Sequence, residues 1–539
     1  MTTGRTDFIC LIAALGILLA LELASRHLAK DLEIIETALP NAPRTPIVII
    51  QKRPGANAPN QPGAGANVKL LLIHGLSASK STMMQMGMAL AQSGAECYLI
   101  DLPGHGASTG KFSWPAGLDA VAAASRWILA ERNPDSIGSS RHGFFLIGHS
   151  LGGGIVIKSA QLNSQVTGVV ALSPTAVPVT LNSPNHMLIL VGENDFPFVK
   201  RSAAFLFEST TSQTIHPSSS ITRWENQEKT QRLVFLPLTE HSGSLFQAKV
   251  YGEIEHWINQ TLQPSAIGLR PSVASGKQVV INGLLCLSAL MSWFPAFSLL
   301  AKWKPTNTDQ RVESGSAPWH GNAIGTHCLT GFQIYRAYAL FSFLALLILR
   351  WHDPWNYLHL MGGGFLTGFL SLTGLFLFLW RRPSRKIMRF NIMPLLTAVA
   401  GVVLLLLYPF PLLTQHFVFL QCTPIRSWNF LLIAISLMPF FVWEEWIFRQ
   451  GLALPGNWQR AVHFVSTRLI LAFTLMIGFL FLNNSQFLIL LLLPGLALLS
   501  LLVWLGSGWV FFKTGSSVAS ALFGSLLTGL IFSAFFTRV

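Results

Sequence analysis

One serine of this chain lies in a setting that could make it a nucleophile. Ser150 is the centre of the pentapeptide Gly148-His149-Ser150-Leu151-Gly152. The apolar run 143–147 before it predicts a strand, and the stretch 153–161 after it predicts a helix. A serine on a sharp strand-to-helix turn projects its hydroxyl above the sheet edge, and flanking glycines let the two elements approach. The amide N–H of Leu151 would then point to the place where an oxyanion forms.

An activated serine needs a base, and the base needs an orienting carboxylate. In proteins that carry a nucleophilic serine on a turn of this kind, the acid follows the serine in the sequence, and the histidine follows the acid. The apolar run 187–191 leads into Gly192-Glu193-Asn194-Asp195, and 232–236 leads into Pro237-Leu-Thr-Glu-His241. Both segments follow predicted strand ends. We therefore predict Asp195 as the acid, with Glu193 as its competitor, and His241 as the base.

A second N–H donor is needed to stabilise an oxyanion. His74-Gly75-Leu76 directly follows the predicted strand 69–73. Gly75 would let the backbone turn close to the serine, and the amide of Leu76 is the candidate donor. We interpret His74 as structural and the segment 101–106 as a tight turn that shapes the site.

The elements that position these residues form an alternating pattern. Short apolar runs predict buried strands, and helical stretches separate most of them. This alternation predicts a largely parallel sheet with helices on both faces. The runs lie at 48–50, 69–73, 97–100, 143–147, 168–172, 187–191 and 232–236.

Five segments of this region resemble one branch of a known family. LLLIHGL, DLPGHGAS, GHSLGG, GENDF and EHSG are similar to sequences of the monoacylglycerol-lipase, lysophospholipase and serine-aminopeptidase branch of the α/β-hydrolases, over residues 45–263. The resemblance implies the α/β-hydrolase fold, a triad of Ser150, Asp195 and His241, and acyl-ester hydrolysis through an acyl-enzyme. Relatives with a helical lid insert it between the serine and the acid. Ser150 and Asp195 are only 45 positions apart (195 − 150), which leaves little room for one.

The composition of the whole chain differs from that of soluble proteins. Of its 539 residues, 51% are hydrophobic and only 11% are charged, against roughly 25% charged in soluble domains. The net charge of +14 does not indicate a nucleic-acid partner, because the basic residues flank apolar spans. The five cysteines are scattered and predict neither disulfides nor a metal site. No cofactor is expected.

Nine apolar windows have lengths that suit membrane spans. One lies at 8–21, and the others at 279–301, 332–349, 358–380, 393–413, 428–448, 469–482, 487–504 and 518–536. They predict three domains: an N-terminal membrane anchor (1–26), an α/β-hydrolase domain (27–265), and an all-α polytopic membrane domain of about eight helices (266–539).

Orientation follows from the positions of lysine and arginine. The loop 381–392 carries Arg381, Arg382, Arg385, Lys386 and Arg389, which is the strongest cytoplasmic signal in the chain. Counting spans from it leaves the hydrolase domain outside the cytoplasm. We therefore expect a multi-pass protein, in a bacterial inner membrane, with membrane lipids around it.

A second resemblance lies in the membrane half. Glu444-Glu445-Trp-Ile-Phe-Arg449 is similar to the first motif of the CPBP family, which is related to type II CAAX prenyl proteases. That family also uses later histidines. Here Asn483 stands four positions after Phe479 where a histidine would be expected, so the motif is degenerate. A structural Glu445–Arg449 pair is the competing interpretation.

The sequence thus predicts a membrane-bound serine hydrolase that cleaves a small or lipid-derived acyl ester, such as a lysolipid or monoacylglycerol. One alternative is a serine peptidase or acyltransferase with the same triad. Another is a membrane scaffold or CPBP-like intramembrane protease with an accessory hydrolase domain. Oligomeric state does not follow from the sequence.

Overall fold

A computed structural model describes most of the chain, in two compact units. The described residues are 2–40, 42–53, 68–131, 143–215, 223–226, 231–262, 268–270, 274–302, 329–383, 391–451, 457–481 and 488–539. The sheet unit comprises Gly16–Ser288, Phe410–Leu420 and Phe535–Val539. The helical unit comprises Met1–Leu15, Ala289–Pro409 and Gln421–Ala534.

The sheet unit contains nine described strands in one sheet, in the order β1-β2-β4-β3-β5-β6-β7-β9-β8. The strands β4, β3, β5, β6, β7 and β9 are parallel to their neighbours in that group, and β1, β2 and β8 pair antiparallel. Their bounds are β1 Leu32–Leu39, β2 Ala42–Lys52, β3 Val68–Ile73, β4 Glu96–Ile100, β5 Gly143–His149, β6 Gly168–Leu172, β7 Met187–Gly192, β8 Arg223–Glu225 and β9 Gln231–Leu236.

Helices cover both faces of this sheet. Alternate residues of β3 face opposite ways: Leu70 and Leu72 join one buried cluster, and Leu71 and Ile73 join the other. Helices α2 (Lys80–Gln92) and α6 (Ala248–Thr261) contribute to the first cluster. Helices α3 (Trp114–Glu131), α4 (Leu151–Leu162) and α5 (Pro197–Thr211) contribute to the second. The predicted α/β-hydrolase fold, with a largely parallel sheet between two helical layers, is confirmed.

All seven predicted strands are present, but β1 and β8 were not predicted. Only the first and last residues of β1, Leu32 and Leu39, are buried, because it is an edge strand paired with β2 alone among the described strands. It therefore lacks the continuous apolar run that marks a strand buried on both faces. β8 has only three residues. Residues 173–186, between β6 and β7, contain no helix, as expected from the short spacing between Ser150 and Asp195.

A chain of buried amides connects the separate segments of the sheet unit. Asn282, on the helix α7 (Ala274–Lys302), accepts a hydrogen bond from Ser25 on the helix α1 (Thr2–Leu28) at 2.6 Å. The Asn282 amide donates to Gln85 of α2 at 3.2 Å, and Gln85 donates to the His416 carbonyl at 3.1 Å. Since unpaired polar groups are costly to bury, these bonds fix how the four segments meet within the unit.

Nine described helices are long and apolar enough to span a membrane, which suggests a membrane-spanning protein. Each of these helices contains or overlaps one of the apolar windows predicted from the sequence. They are Thr6–Leu28, Gly276–Ala301, Gly331–Trp351, Gly363–Trp380, Ile392–His416, Pro424–Arg449, Trp458–Leu480, Leu492–Thr514 and Ser517–Phe535. The seventh begins well before the predicted 469, because Arg460, His463 and Arg468 lower the local hydropathy without ending the helix.

The helical unit contains the start of α1 and the end of α7. Its other described helices are α8 Gly331–Trp351, α9 Gly363–Trp380, α10 Ile392–Leu407, α12 Pro424–Trp446, α13 Asn457–Phe481, α14 Leu488–Thr514 and α15 Ser517–Phe535. One more helix, α11, comprises Pro409–His416.

Small residues bring α12 close to its neighbours. A Cβ on Gly374 of α9 would lie 2.3 Å from Phe440 Cα, and one on Gly529 of α15 would lie 3.0 Å from Ala434. Close backbone approach through small residues is how membrane helices commonly pack.

Candidate active site

Ser150 lies on a sharp, strained turn between β5 and α4. Its φ of 54° and ψ of −115° are unusual for a residue with a side chain. The surrounding packing enforces this conformation. A Cβ on Gly148 would lie 2.3 Å from the Gly152 carbonyl oxygen, and one on Gly152 would lie 2.5 Å from the oxygens of Ile73 and His74. Strand and helix therefore approach at a distance that only glycine permits.

The structure brings Ser150, His241 and Asp195 together. His241 Nε2 lies 3.1 Å from Ser150 Oγ, and His241 Nδ1 lies 2.9 Å from Asp195 Oδ1. Since the Nδ1 atom faces a carboxylate, it carries the hydrogen of the neutral ring, and Nε2 is left to accept from the serine hydroxyl. Asp195 is buried, and its Oδ1 also accepts the Phe196 amide N–H at 2.7 Å.

The loops after β7 and β9 are bonded to each other, which sets the distance between the acid and the histidine. The amide of Asn194 donates to the Thr239 carbonyl at 3.0 Å, and a Cβ on Gly192 would lie 2.2 Å from that same oxygen. Glu193, the competing acid, is exposed, and its amide donates to the Leu236 carbonyl. Asp195, and not Glu193, is therefore the carboxylate that faces His241.

Two backbone amides lie beside the serine. A Cβ on Gly75 would lie 3.2 Å from Ser150 Cβ, so the chain after β3 runs directly against the turn. Leu76 follows Gly75, and Leu151 opens α4, where the first amides have no partner within the helix. Both leucines are half-buried. The two predicted oxyanion donors thus belong to the two backbone segments that flank Ser150.

His74 is structural in this arrangement. Its Nε2 accepts the Leu102 amide N–H at 3.0 Å, and its Nδ1 faces the Gly75 carbonyl oxygen at 2.7 Å. Burial lowers the pKa of His74. The ring therefore joins the Gly75 turn to the segment after β4. That segment is the predicted tight turn, since Gly106 has φ +50° and any Cβ there would collide with the Asp101 carboxylate.

His149 supports His241 and was not predicted from the sequence. Its Nε2 lies 3.0 Å from the His241 carbonyl oxygen, and the two rings have centroids 5.0 Å apart. Burial lowers the pKa of His149 to about 3. A neutral His149 with the hydrogen on Nε2 donates to that carbonyl and steadies the loop of the base. His149 occupies the first variable position of the Gly-x-Ser-x-Gly pattern, and the residue type at that position does not predict this role.

The surroundings of His241 are apolar. Phe196 packs edge-on to the His241 ring with centroids 5.9 Å apart, and Phe198 stacks on Phe196 at 5.7 Å. Both phenylalanines are half-buried. Leu238, three residues before His241, is 87% exposed. Two half-buried rings thus border the polar site, and an exposed leucine lies in the same loop as His241.

The residues of the membrane motif form a separate buried cluster in the helical unit. Glu444 accepts from Arg468 through both oxygens, at 2.5 and 2.6 Å, and from the Tyr338 hydroxyl at 2.6 Å. Glu445 accepts from Arg449 at 3.1 Å and from Ser507 at 2.6 Å. Asn483 lies outside the described residues. The Arg468 pairing was not predicted, because the sequence suggested only the neighbour four positions away.

Within the described ranges, no group of three or more histidine, cysteine, aspartate or glutamate side chains could hold a metal ion.

The chain was compared with known protein families, curated proteins and solved structures. Residues 70–308 match the model of the alpha/beta hydrolase family. No curated protein matches the chain.

Several solved structures are similar to it at low sequence identity. The Pyrococcus furiosus esterase Pf2001 is 13% identical, with 44% of this chain and 96% of that chain covered and a TM-score of 0.33. A membrane phospholipase A described as a bacterial virulence factor is 14% identical, covering 48% and 99%, with a TM-score of 0.31. A Paleococcus ferrophilus monoacylglycerol lipase is 19% identical, covering 36% and 94%, with a TM-score of 0.26.

Proposed function

We propose that this protein is a membrane-bound serine hydrolase that cleaves an acyl ester through an acyl-enzyme. One observation carries the proposal: the continuous line of hydrogen bonds from Ser150 Oγ through the His241 ring to Asp195, at 3.1 and 2.9 Å. A serine on a strained turn, a base in the correct tautomer and a buried orienting carboxylate are the parts that nucleophilic acyl transfer needs.

The reaction follows from these positions. As Ser150 Oγ attacks the ester carbonyl carbon, its proton passes to His241 Nε2, and Asp195 stabilises the imidazolium that forms. The carbonyl oxygen becomes an oxyanion, which the amides of Leu76 and Leu151 stabilise. Collapse of this intermediate breaks the ester C–O bond, and the alcohol leaves with the proton from His241. A water molecule, deprotonated by His241, then attacks the acyl-enzyme and releases the carboxylic acid.

A lipid-derived ester, such as a lysolipid or monoacylglycerol, fits the apolar border of the site. Phe196, Phe198 and Leu238 offer apolar contacts beside His241 to an acyl chain. No helix lies between β6 and β7 to close over the serine. Peptide hydrolysis and acyl transfer would use the same triad. They are distinguished by the acceptor and the leaving group, and the apolar border favours the ester.

We propose a multi-pass protein of a bacterial inner membrane, with the hydrolase domain outside the cytoplasm. The basic loop 381–392 supports the side, and the parity of the spans supports one common side for the segments of the sheet unit. In the described chain, four candidate spans lie between Leu262 and Phe417, and four more lie between Leu420 and Phe536. An even number of crossings returns the chain to the side where it started, and these segments all belong to the sheet unit.

Replacing exposed Ser164 by cysteine in a cysteine-free background tests this orientation. We expect an impermeant thiol reagent to label the variant in intact cells. Labelling only after permeabilisation would contradict the proposed side but not the hydrolase activity.

We further propose that the membrane cluster is structural and not proteolytic. Every carboxylate oxygen of Glu444 and Glu445 accepts a hydrogen bond, and each glutamate faces an arginine. A glutamate that activates water must have an oxygen available to take its proton.

Hydrolysis of p-nitrophenyl esters of increasing chain length, by wild type and Ser150→Ala, tests the function. We expect the wild type to turn over these esters, with kcat/KM rising with acyl length, and Ser150→Ala to be inactive while folded and inserted. Wild-type turnover in Ser150→Ala would contradict the mechanism. A preference for peptide amides over esters would favour the peptidase instead.

A further inference from the structure

The segment Phe535–Val539, which follows the last apolar helix, belongs to the sheet unit. Its backbone pairs with the turn after β4: the Phe112 amide donates to the Arg538 carbonyl at 2.8 Å, and the Arg538 amide donates to the Gly104 carbonyl at 2.9 Å. Gly104 has φ +78°, and a Cβ there would lie 2.2 Å from the Arg538 oxygen. The turn therefore closely fits this C-terminal tail.

Thr537 is the residue of the tail that faces the proposed site. Its side chain is fully buried, and its Oγ1 lies 2.9 Å from His105 Nε2 and 3.1 Å from the Ser77 amide nitrogen. His105 Nδ1 faces the Pro103 carbonyl oxygen at 2.9 Å, so in the neutral ring Nε2 is the acceptor. The Thr537 hydroxyl thus donates to His105 and accepts from Ser77.

Ser77 directly follows Leu76, whose amide is a proposed oxyanion donor. Ser77 has φ +53°, a conformation that a residue with a side chain keeps only when its surroundings hold it. His74 fixes the start of this loop through its bond from the Leu102 amide. Thr537 fixes the end of the loop through the Ser77 amide.

We propose that Thr537 is a positioning residue of the hydrolase, which holds the Leu76 amide in place for the oxyanion. The inference rests on the proposed function of Ser150. An oxyanion donor must lie at hydrogen-bond distance from the developing charge, and small displacements far from the chemistry cost rate. A residue 461 positions after Leu76 (537 − 76) then completes the site.

The test uses the full-length protein and three threonine variants. Thr537→Val keeps the shape and removes the hydroxyl with its bonds to His105 and to the amide and hydroxyl of Ser77, and Thr537→Ser keeps the hydroxyl. Thr397→Val is the matched control, since that buried threonine donates to the Met393 carbonyl of its own helix. We measure kcat and KM for a p-nitrophenyl ester, and the affinity for a trifluoromethyl ketone, whose adduct with the serine carries an oxyanion.

For Thr537→Val we expect kcat to fall about tenfold to a hundredfold with KM little changed. The ketone affinity should fall by the same factor as kcat/KM. Thr537→Ser and Thr397→Val should stay close to wild type. The pH profile should keep its shape in every variant, because His241 is not touched.

An unchanged kcat in folded Thr537→Val would overturn the proposal, and so would a loss of kcat with unchanged ketone affinity. If Thr537→Val does not fold, Thr537→Cys keeps a side chain of similar size and replaces the hydroxyl by a thiol, which is a weak hydrogen-bond partner. A parallel fall in its kcat and ketone affinity is then expected, and wild-type values for both would overturn the proposal. An inactive wild type would instead contradict the proposed function.

Discussion

Two buried groups of polar side chains carry residue types suited to hydrolysis, and they differ in how their hydrogen-bonding capacity is used. In the sheet unit, half-buried Ser150 bonds through its hydroxyl to His241, and the backbone at Gly75 runs against it. In the helical unit, Glu444 and Glu445 are each 4% exposed, and their oxygens are occupied by arginine, tyrosine and serine donors.

The comparison teaches that residue type alone does not define a hydrolytic site. A nucleophile must be able to transfer its proton and reach a substrate. The proposed triad meets this requirement because the two ring nitrogens of His241 face Ser150 and Asp195, and Ser150 is only half-buried. The glutamate cluster has the pattern of groups that neutralise each other within an apolar environment.

The largest effect should come from His241→Ala. Because the serine and its base act as a unit, losing either should cost about 10⁵- to 10⁶-fold in kcat for ester hydrolysis. Far-ultraviolet circular dichroism and gel filtration control for folding. Residual activity within tenfold of wild type would mean that another group deprotonates the serine.

Asp195→Asn should have a smaller but still large effect. The amide can no longer hold the correct tautomer of His241, so kcat should fall about 10⁴-fold. Glu193→Gln is the matched control, since Glu193 is the exposed carboxylate two positions away. Comparable losses in both variants would contradict the assignment of the acid.

Glu444→Gln should act on stability and leave catalysis unchanged. Breaking a buried ion pair leaves Arg468 without its counter-charge, which typically costs about 3–5 kcal/mol. We expect a lower melting temperature and less protein in the membrane, with normal ester kcat per folded molecule. The double variant Glu444→Leu/Arg468→Leu should be more stable than the single one, because it leaves no charge unpaired.

Cleavage of a membrane substrate by Ser150→Ala that Glu444→Gln or Glu445→Gln abolishes would contradict the structural assignment of this cluster. It would show that the helical unit holds the principal site.

The smallest effect concerns acid stability. Burial lowers the pKa of His149 to about 3, whereas an unfolded histidine titrates near 6.5. The unfolded chain therefore binds the proton more tightly, and stability that is complete above about pH 6.5 is lost as the pH falls toward 3. The expected slope is about 1.4 kcal/mol per pH unit. His149→Gln keeps an N–H donor but should flatten the melting temperature between pH 7.5 and 5; an equal slope would contradict this.

Local patterns predicted most of the sheet and the places of Ser150, Asp195 and His241, because buried parallel strands are continuous apolar runs with polar loops at their ends. They favoured Asp195 with Glu193 as its competitor, and the difference in burial between these two carboxylates is a property of the fold. The edge strand β1 was not predicted because polar residues interrupt its apolar ones, as Glu33, Glu36 and Thr37 do. Arg468 and Thr537 have no local signal, since their partners lie 24 and 460 positions away in the sequence.

The central claim is that Ser150 is an activated nucleophile, and covalent labelling tests it most directly. Membranes containing wild type, Ser150→Ala or Ser173→Ala are treated with a fluorophosphonate, and the labelled peptide is identified by mass spectrometry. Ser173 is the control because it is a buried serine, also at positive φ, at the end of the neighbouring strand β6. We predict one phosphonylated serine, Ser150, in wild type and Ser173→Ala, and no label in Ser150→Ala. Labelling that persists in Ser150→Ala, or a folded wild type that does not react, would contradict the claim.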